Sequence, residues 1–161
     1  MADSISKTLD YDDHGVTQDF FHQVCGEVGV TPQVDRFAND KNAKVPIFYS
    51  AVFCPLTAGV DAFNFCWSPD KVNWIFPPMK LICRALYHLK LSKAAGLFLV
   101  PQWKNSYFYP LWMLERQYPS FKGVWVYAGP GMFTQGSDSS SFFGPHFKGN
   151  IEVWYLDFRL C

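Results

Sequence analysis

The stretch 96–101 (GLFLVP) is a run of six residues without a charged or hydrogen-bonding side chain. A strand covered on both faces has this composition, because neither of its alternating sets of side chains meets water. Such strands belong to parallel sheets, which carry helices on both faces. This stretch therefore constrains the chain to an α/β fold more strongly than any other part of the sequence.

Patterns typical of helices and strands alternate on either side of this stretch. One helix is predicted between Thr17, a good N-cap, and Gly29, a good stop. A second helix follows Pro78, and a third is predicted over 107–117. Strands are predicted at 33–38, 46–53, 72–76, 123–127 and 151–160, and 60–67 fits either a buried strand or a short helix. This order predicts a Rossmann-like, three-layer α/β sandwich with a mostly parallel sheet and an antiparallel edge strand.

Length and composition fit one domain. The chain has 161 residues, of which 49% are hydrophobic and 19% aromatic, enough for a single core. Residues 1–15 are polar and acidic and are predicted to form a linker, with the domain at 16–161. The apolar runs are too short to cross a bilayer, and 1–13 lacks the apolar segment of a signal peptide. We expect an intracellular protein, cytoplasmic or nuclear or both, without a membrane partner.

The usual signatures of metal and hydrolytic sites are absent from the sequence. Its five cysteines include no CxxC pair, and its four histidines are far apart along the chain. We therefore predict free thiols and no metal site. The chain also has no GxSxG, GxGxxG or GxxxxGK[ST] motif, so a hydrolase, a dinucleotide enzyme and a P-loop enzyme are not indicated.

Charge is unevenly distributed, although the net charge is zero. Residues 1–40 hold eight acids and two bases, a net charge of −6, and the remainder holds twelve bases and six acids, a net charge of +6. The asymmetry fits a basic face for nucleic acid. It also fits attraction between two parts of one domain, and no run of Lys and Arg favours the first explanation.

The turn 76–79 follows a predicted strand and precedes a predicted helix, at the edge of an α/β sheet where ligands bind. It resembles the [Asn/Asp]-Pro-Pro-[aromatic] turn of DNA amino-methyltransferases. In that family the Asn or Asp oxygen and the first proline's carbonyl accept the hydrogens of the target amino group. The aromatic ring stacks on the flipped base.

The resemblance implies catalytic positions at Phe76, Pro77, Pro78 and Met79. Phe76 has no oxygen to accept a hydrogen bond, and Met79 replaces the stacking aromatic ring. Pro77 keeps its carbonyl group. From the turn alone, two prolines that end a strand and begin a helix are the simpler explanation, and a turn of the methyltransferase kind would be degenerate. The sequence therefore predicts a degenerate catalytic turn.

A wider, ordered set of motifs extends the resemblance over roughly residues 15–115. The order is similar to that of phage-type DNA adenine methyltransferases. It more closely resembles the segment that follows reverse transcriptase and RNase H in polyproteins of DIRS-type retrotransposons, which encode a tyrosine recombinase. The matching residues are Asp35-Arg36-Phe37-Ala38 with Asn42, Val60-Asp61-Ala62-Phe63, Trp67, Pro77-Pro78 and Val100-Pro101-Gln102-Trp103.

The resemblance also implies roles for acidic residues. Asp35 and Asp61 correspond to contacts with S-adenosylmethionine. Residues 2–7 resemble the tail of a retroelement RNase H, in which Asp3 would be an isolated remnant of the active site. A cofactor pocket filled by side chains would argue against an active enzyme; the candidates are Phe37, Phe63 and Trp74.

We therefore expect a catalytically degenerate, methyltransferase-like domain of a retrotransposon-derived polyprotein, without a cofactor. Its expected role is to bind the DNA or RNA of the element, or other parts of the polyprotein. Trp103, Lys104, Tyr107 and Arg116 are the predicted nucleic-acid contacts. The alternative is an active DNA N6-adenine methyltransferase that uses S-adenosylmethionine, and a purely structural or protein-interaction module is the third possibility.

Overall fold

The structure is a computed structural model that describes residues 15–129, 131–134, 143 and 147–159. The predicted linker with its RNase H-like tail therefore lies outside the described residues, except for Gly15. Most of the predicted loop 129–149 lies outside them as well. All statements below concern the described part of the chain.

The centre of the fold is a seven-stranded sheet in the order β3-β2-β1-β4-β5-β7-β6. The first five strands are parallel, and β7 is antiparallel to both of its neighbours. The strands are β1 (Val34–Asp35), β2 (Ile47–Ser50), β3 (Gly59–Val60), β4 (Val72–Ile75), β5 (Ala95–Pro101), β6 (Phe121–Ala128) and β7 (Asn150–Asp157). The expected mostly parallel α/β sheet is thus observed, with its antiparallel strand second from one edge.

Three α-helices among the described residues cover the two faces of this sheet. They are α1 (Gln18–Val28), α2 (Ile82–Leu91) and α3 (Tyr109–Glu115). The side chain of Thr17 caps α1 by accepting a hydrogen bond from the Phe20 backbone N–H, and Gly29 ends it in the left-handed region at φ 79°. Both ends of α1 were therefore set by local signals in the sequence.

Two separate apolar cores show that the fold has three layers. One core packs α1 against one face of the sheet and includes Phe21, Trp74 and Leu97. The other packs α2 and α3 against the opposite face and includes Phe98 and Trp112. Every residue of β5 is buried, because this strand lies at the centre of both cores.

Two predicted elements are shorter or more broken in the structure. Residues 60–67 divide into the short strand β3 and a 3₁₀ turn at Ala62–Asn64. The helix after Pro78 begins with a 3₁₀ turn at Met79–Leu81 before α2. In this turn the Leu81 N–H donates to the Pro78 carbonyl, three residues earlier. Such 3₁₀ turns are common at the start of an α-helix.

Two glycines of α1 are expected to respond to alanine in opposite directions. Gly26 lies inside the helix with open space around its Cα, so Gly26→Ala should stabilise the domain by about 0.5–1 kcal/mol. Gly29→Ala should destabilise it by about 1 kcal/mol, because the cap needs positive φ. Urea unfolding of the two variants measures both changes, and equal signs would contradict the observed helix end.

Candidate functional site at the carboxyl edge of the sheet

The parallel strands end along one edge of the sheet, here named the carboxyl edge, and the strand order reverses between β1 and β4. Open α/β sheets bind ligands at such a reversal. The structure has a cavity of about 10 Å³ there, lined by residues that include Asp35, Phe37, Trp74 and Phe76. Pockets for small organic ligands measure about 300–1,000 Å³. As it stands, this cavity has room for about one water molecule and does not fit S-adenosylmethionine.

Asp35, one of the two predicted cofactor contacts, is buried at the end of β1. One of its carboxylate oxygens accepts a hydrogen bond from the Lys44 backbone N–H at 3.1 Å. Burial lowers the pKa of the Lys44 side chain, and the Asp35 carboxylate partly opposes this shift. The carboxylate is therefore used to hold the segment between β1 and β2 against the sheet.

Phe76, at the position of the catalytic Asn or Asp, belongs to an aromatic cluster. Its side chain is 2% exposed and stacks on Phe133, with ring centroids 5.6 Å apart. Phe143 meets it edge-on at 5.2 Å, and Phe147 packs on Phe133 at 5.1 Å. Rings of these residues surround the place where an oxygen acceptor would be needed, so this position has an apolar packing role.

The rest of the predicted turn is tied to the segment that follows β5. Pro77 is buried, and the Pro78 carbonyl accepts a hydrogen bond from the Leu81 N–H at 2.9 Å. The Tyr107 hydroxyl donates to the Met79 carbonyl at 2.6 Å. The structure therefore brings the predicted catalytic turn next to part of the predicted nucleic-acid site.

Asp61, the second predicted cofactor contact, lies apart from Asp35. It follows β3, two strands away from β1, a separation of about 10 Å across the sheet. Its carboxylate accepts a hydrogen bond from the Phe63 N–H at 3.1 Å and caps the 3₁₀ turn, with Asp61 at φ 66°. The ring of Phe63 packs against Phe37, within the core on the α2 side of the sheet.

The predicted nucleic-acid contacts separate into two places. Trp103, Lys104 and Tyr107 follow β5 at the carboxyl edge, where Tyr107 is 60% exposed. Arg116 follows α3 and lies over the Phe121 ring at 5.4 Å. Phe121 begins β6 and is in register with the amino-terminal end of β5. Arg116 is therefore at the opposite edge, apart from the other three residues.

A buried polar group that the sequence interpretation missed secures the carboxyl edge. Glu152 of β7 accepts hydrogen bonds from the side chains of Gln102, Tyr109 and Trp154 at 3.0, 3.0 and 2.9 Å. Burial and the Glu152 carboxylate raise the pKa of Tyr109 to about 12. One signal for this group was present in the sequence: a single acidic residue lies inside a predicted apolar strand. A buried carboxylate requires hydrogen-bond partners.

Other classes of site receive no support from the described residues. They contain no group of three or more His, Cys, Asp and Glu side chains able to hold a metal ion. The four cysteines among them are free thiols. No helix within them has the length and apolar character needed to cross a bilayer.

Comparison of the chain with protein-family models and with curated proteins gave no match. The functional interpretation therefore depends on the geometry of the carboxyl edge and on the residue motifs.

Proposed function

We propose that this chain is a catalytically degenerate, methyltransferase-like domain of a retrotransposon-derived polyprotein, and that it binds single-stranded nucleic acid at the carboxyl edge of its sheet. The observation that carries the first part is the burial of Phe76 in an aromatic cluster where methyl transfer to an amino group needs an oxygen acceptor. The ordered motifs and the Rossmann-like sheet support the origin, although a fold alone does not establish a function.

Calorimetric titration with S-adenosylhomocysteine tests the loss of catalysis. We expect no saturable binding at millimolar ligand, because aromatic side chains restrict the cavity at the end of β1 to about 10 Å³. Saturable binding that Asp35→Ala abolishes would instead support the alternative, an active DNA adenine methyltransferase. Such a result would require a direct assay of methyl transfer.

The surface proposed for nucleic acid combines exposed lysine side chains with aromatic rings. Lys80 follows the predicted catalytic turn, Lys104 follows β5, and Lys148 precedes β7, and all three are exposed. The half-buried Trp103 and the exposed Tyr107 follow β5 at the same edge. Lysine contacts to phosphates and base stacking on aromatic rings are the two elements that single-strand binding needs.

Two acids at this edge add no exposed charge to the surface. Asp35 is buried and accepts the Lys44 backbone N–H, and Glu152 is buried and accepts three side-chain hydrogen bonds. Lys80, Lys104 and Lys148 carry exposed positive charge at this edge, and the exposed Asp40, in the segment that follows β1, carries negative charge. This charge balance favours a phosphate backbone as partner over a basic protein segment.

Fluorescence anisotropy with a labelled single-stranded oligonucleotide tests the surface. The affinity should fall as salt increases, and the double variant Lys80→Ala/Lys104→Ala should reduce the slope of log K against log salt by about 1.4. Tyr107→Leu should weaken binding by about 1–3 kcal/mol through lost stacking, and Tyr107→Phe should retain it.

Lys122→Ala is the control, because Lys122 is an exposed lysine near the opposite edge of the sheet. It should leave both the affinity and the salt slope close to those of the original chain. An equal loss in the control would indicate nonspecific attraction, and no binding at low salt would indicate a protein-interaction module instead.

A further inference from the structure

The strand β6 ends the sheet on one side, and among the described residues no further strand pairs with its outer side. It is eight residues long, whereas β3, at the other end of the strand order, has two residues. An edge strand presents a row of unpaired N–H and C=O groups, and a long one is a template for another strand. The length of β6 therefore makes its outer side the stronger candidate for an interaction surface.

The hydrogen bonds of β7 show which backbone groups of β6 point outward. The Asn150 carbonyl at the start of β7 accepts from the N–H of Gln102, the residue directly after β5. Because backbone groups alternate in direction along a strand, the next residue of β7 faces β6, where it pairs with Tyr127. The same alternation along β6 directs the N–H and C=O groups of Val124 and Val126 away from the sheet. No described residue makes a hydrogen bond to these groups from the outer side.

Features that usually protect an edge strand are confined to the first residues of β6. Lys122 is its one charged residue, and a register shift lies between Phe121 and Gly123. Residues 124–128 (VWVYA) contain no charge and no proline, the other common protections. Valine and aromatic residues also favour strands, and Val126 is 51% exposed. This part of β6 is therefore suited to pairing with another strand.

We propose that the outer side of β6 pairs antiparallel with β6 of a second copy of this chain. The pairing joins the two sheets into one across a two-fold axis. With Trp125 on the axis, Val124 of each copy lies opposite Val126 of the other. Each of these two pairs exchanges two backbone hydrogen bonds, so the outward groups of the four valines make four hydrogen bonds.

The side chains of β6 fit this symmetric pairing. Lys122 of one copy lies opposite Ala128 of the other, so the charge of the strand meets no like charge. Trp125 faces its own copy in a non-hydrogen-bonded pair, where side chains approach most closely and aromatic pairs stabilise a sheet. The exposed Val126 gains Val124 of the other copy as a neighbour on the same face. A second copy therefore supplies matching residues at matching spacing.

Sedimentation equilibrium of the full chain tests the pairing. From micromolar to millimolar concentration we expect a reversible equilibrium between monomer and dimer. Val126→Pro should raise the Kd of the dimer at least about tenfold, because each copy loses one outward N–H and the dimer loses two of its four hydrogen bonds. Since this N–H points away from β7, an edge strand tolerates proline there, and thermal unfolding verifies the fold of the variant.

Val126→Thr is the matched control at the same position. It keeps the N–H and the β-branched shape, and the side chain is exposed, so the Kd should change by less than about threefold. Val126→Lys is a second variant that leaves the backbone unchanged. It brings two lysines together diagonally across the axis and should also raise the Kd at least about tenfold.

Two results would overturn the proposal. One is a monomer at every concentration, which would leave the outer side of β6 to another part of this chain or to a different protein. The other is a dimer whose Kd is unchanged in both Val126→Pro and Val126→Lys. Neither result bears on the oligonucleotide experiment, because the carboxyl edge is formed by the ends of the parallel strands.

Discussion

Asn73→Leu is expected to destabilise the domain by about 2–3 kcal/mol, because it removes the acceptor of a hydrogen bond from a buried charged group. The Arg36 side chain is 1% exposed, and its Nε–H donates to the Asn73 side-chain oxygen at 2.7 Å. The Asn73 amide in turn donates to the Ala95 carbonyl at 2.9 Å. Leucine would leave the guanidinium buried with one polar contact fewer.

The surroundings of Arg36 make a double-mutant cycle informative. Its guanidinium lies 4.6 Å from the Tyr49 ring centroid and 5.8 Å from that of Trp67, and burial lowers the pKa of Arg36. Arg36→Met removes the charge and should cost about 1–3 kcal/mol, mainly because the Asn73 side-chain oxygen loses its donor. The double variant should therefore be more stable than Asn73→Leu alone.

Urea unfolding of the four proteins measures this coupling between Arg36 and Asn73. A cost below about 1 kcal/mol for Asn73→Leu would contradict the interpretation, because it would place the guanidinium in contact with water. Trp112→Phe is a control for the loss of a buried polar group that makes no hydrogen bond. It removes an indole N–H that makes no hydrogen bond with a described residue, and it keeps most of a buried ring in the core on the α2 side of the sheet.

Much of the fold could be predicted because its signals are local. The apolar stretch 96–101 coincides with β5, and all of its residues are buried. Thr17 and Gly29 fixed the ends of α1 through hydrogen bonds and backbone angles that depend only on nearby residues. The Pro-Pro turn between β4 and α2 was visible for the same reason. These features needed no knowledge of the sheet order.

The candidate sites depend on long-range pairing, which one sequence does not reveal. Arg116 and Tyr107 are nine positions apart in the sequence but lie at opposite edges of the sheet, because α3 runs back along β5. Glu152 meets Gln102 only because β7 is inserted next to β5. The same insertion places β6 where Tyr127 can face α1. The register of strands, rather than local sequence, creates these contacts.

Phe76→Asn is expected to destabilise the domain strongly and to leave it without cofactor binding. Replacing a buried phenylalanine by a small residue costs about 3–5 kcal/mol, and a buried amide without a partner adds to that. Phe76 is 2% exposed and packs on Phe133 and Phe143. For a chain of this size each kcal/mol lowers Tm by about 2–4 °C, so a fall of about 6–20 °C is expected.

Under the proposed function, this substitution supplies the oxygen that the catalytic turn of DNA amino-methyltransferases requires. It therefore separates a missing acceptor from a cofactor cavity that is too small. If only the acceptor were missing, the original chain would already bind S-adenosylhomocysteine in calorimetry, and a folded Phe76→Asn protein would bind it as well. We expect no binding by either protein, because Phe37 and Trp74 still restrict the cavity beside Asp35. Phe76→Leu is the control, with a smaller fall in Tm and no new polar group. A stable Phe76→Asn protein that binds the cofactor product would mean that the cavity opens, and it would contradict the restricted cavity on which the proposed function depends.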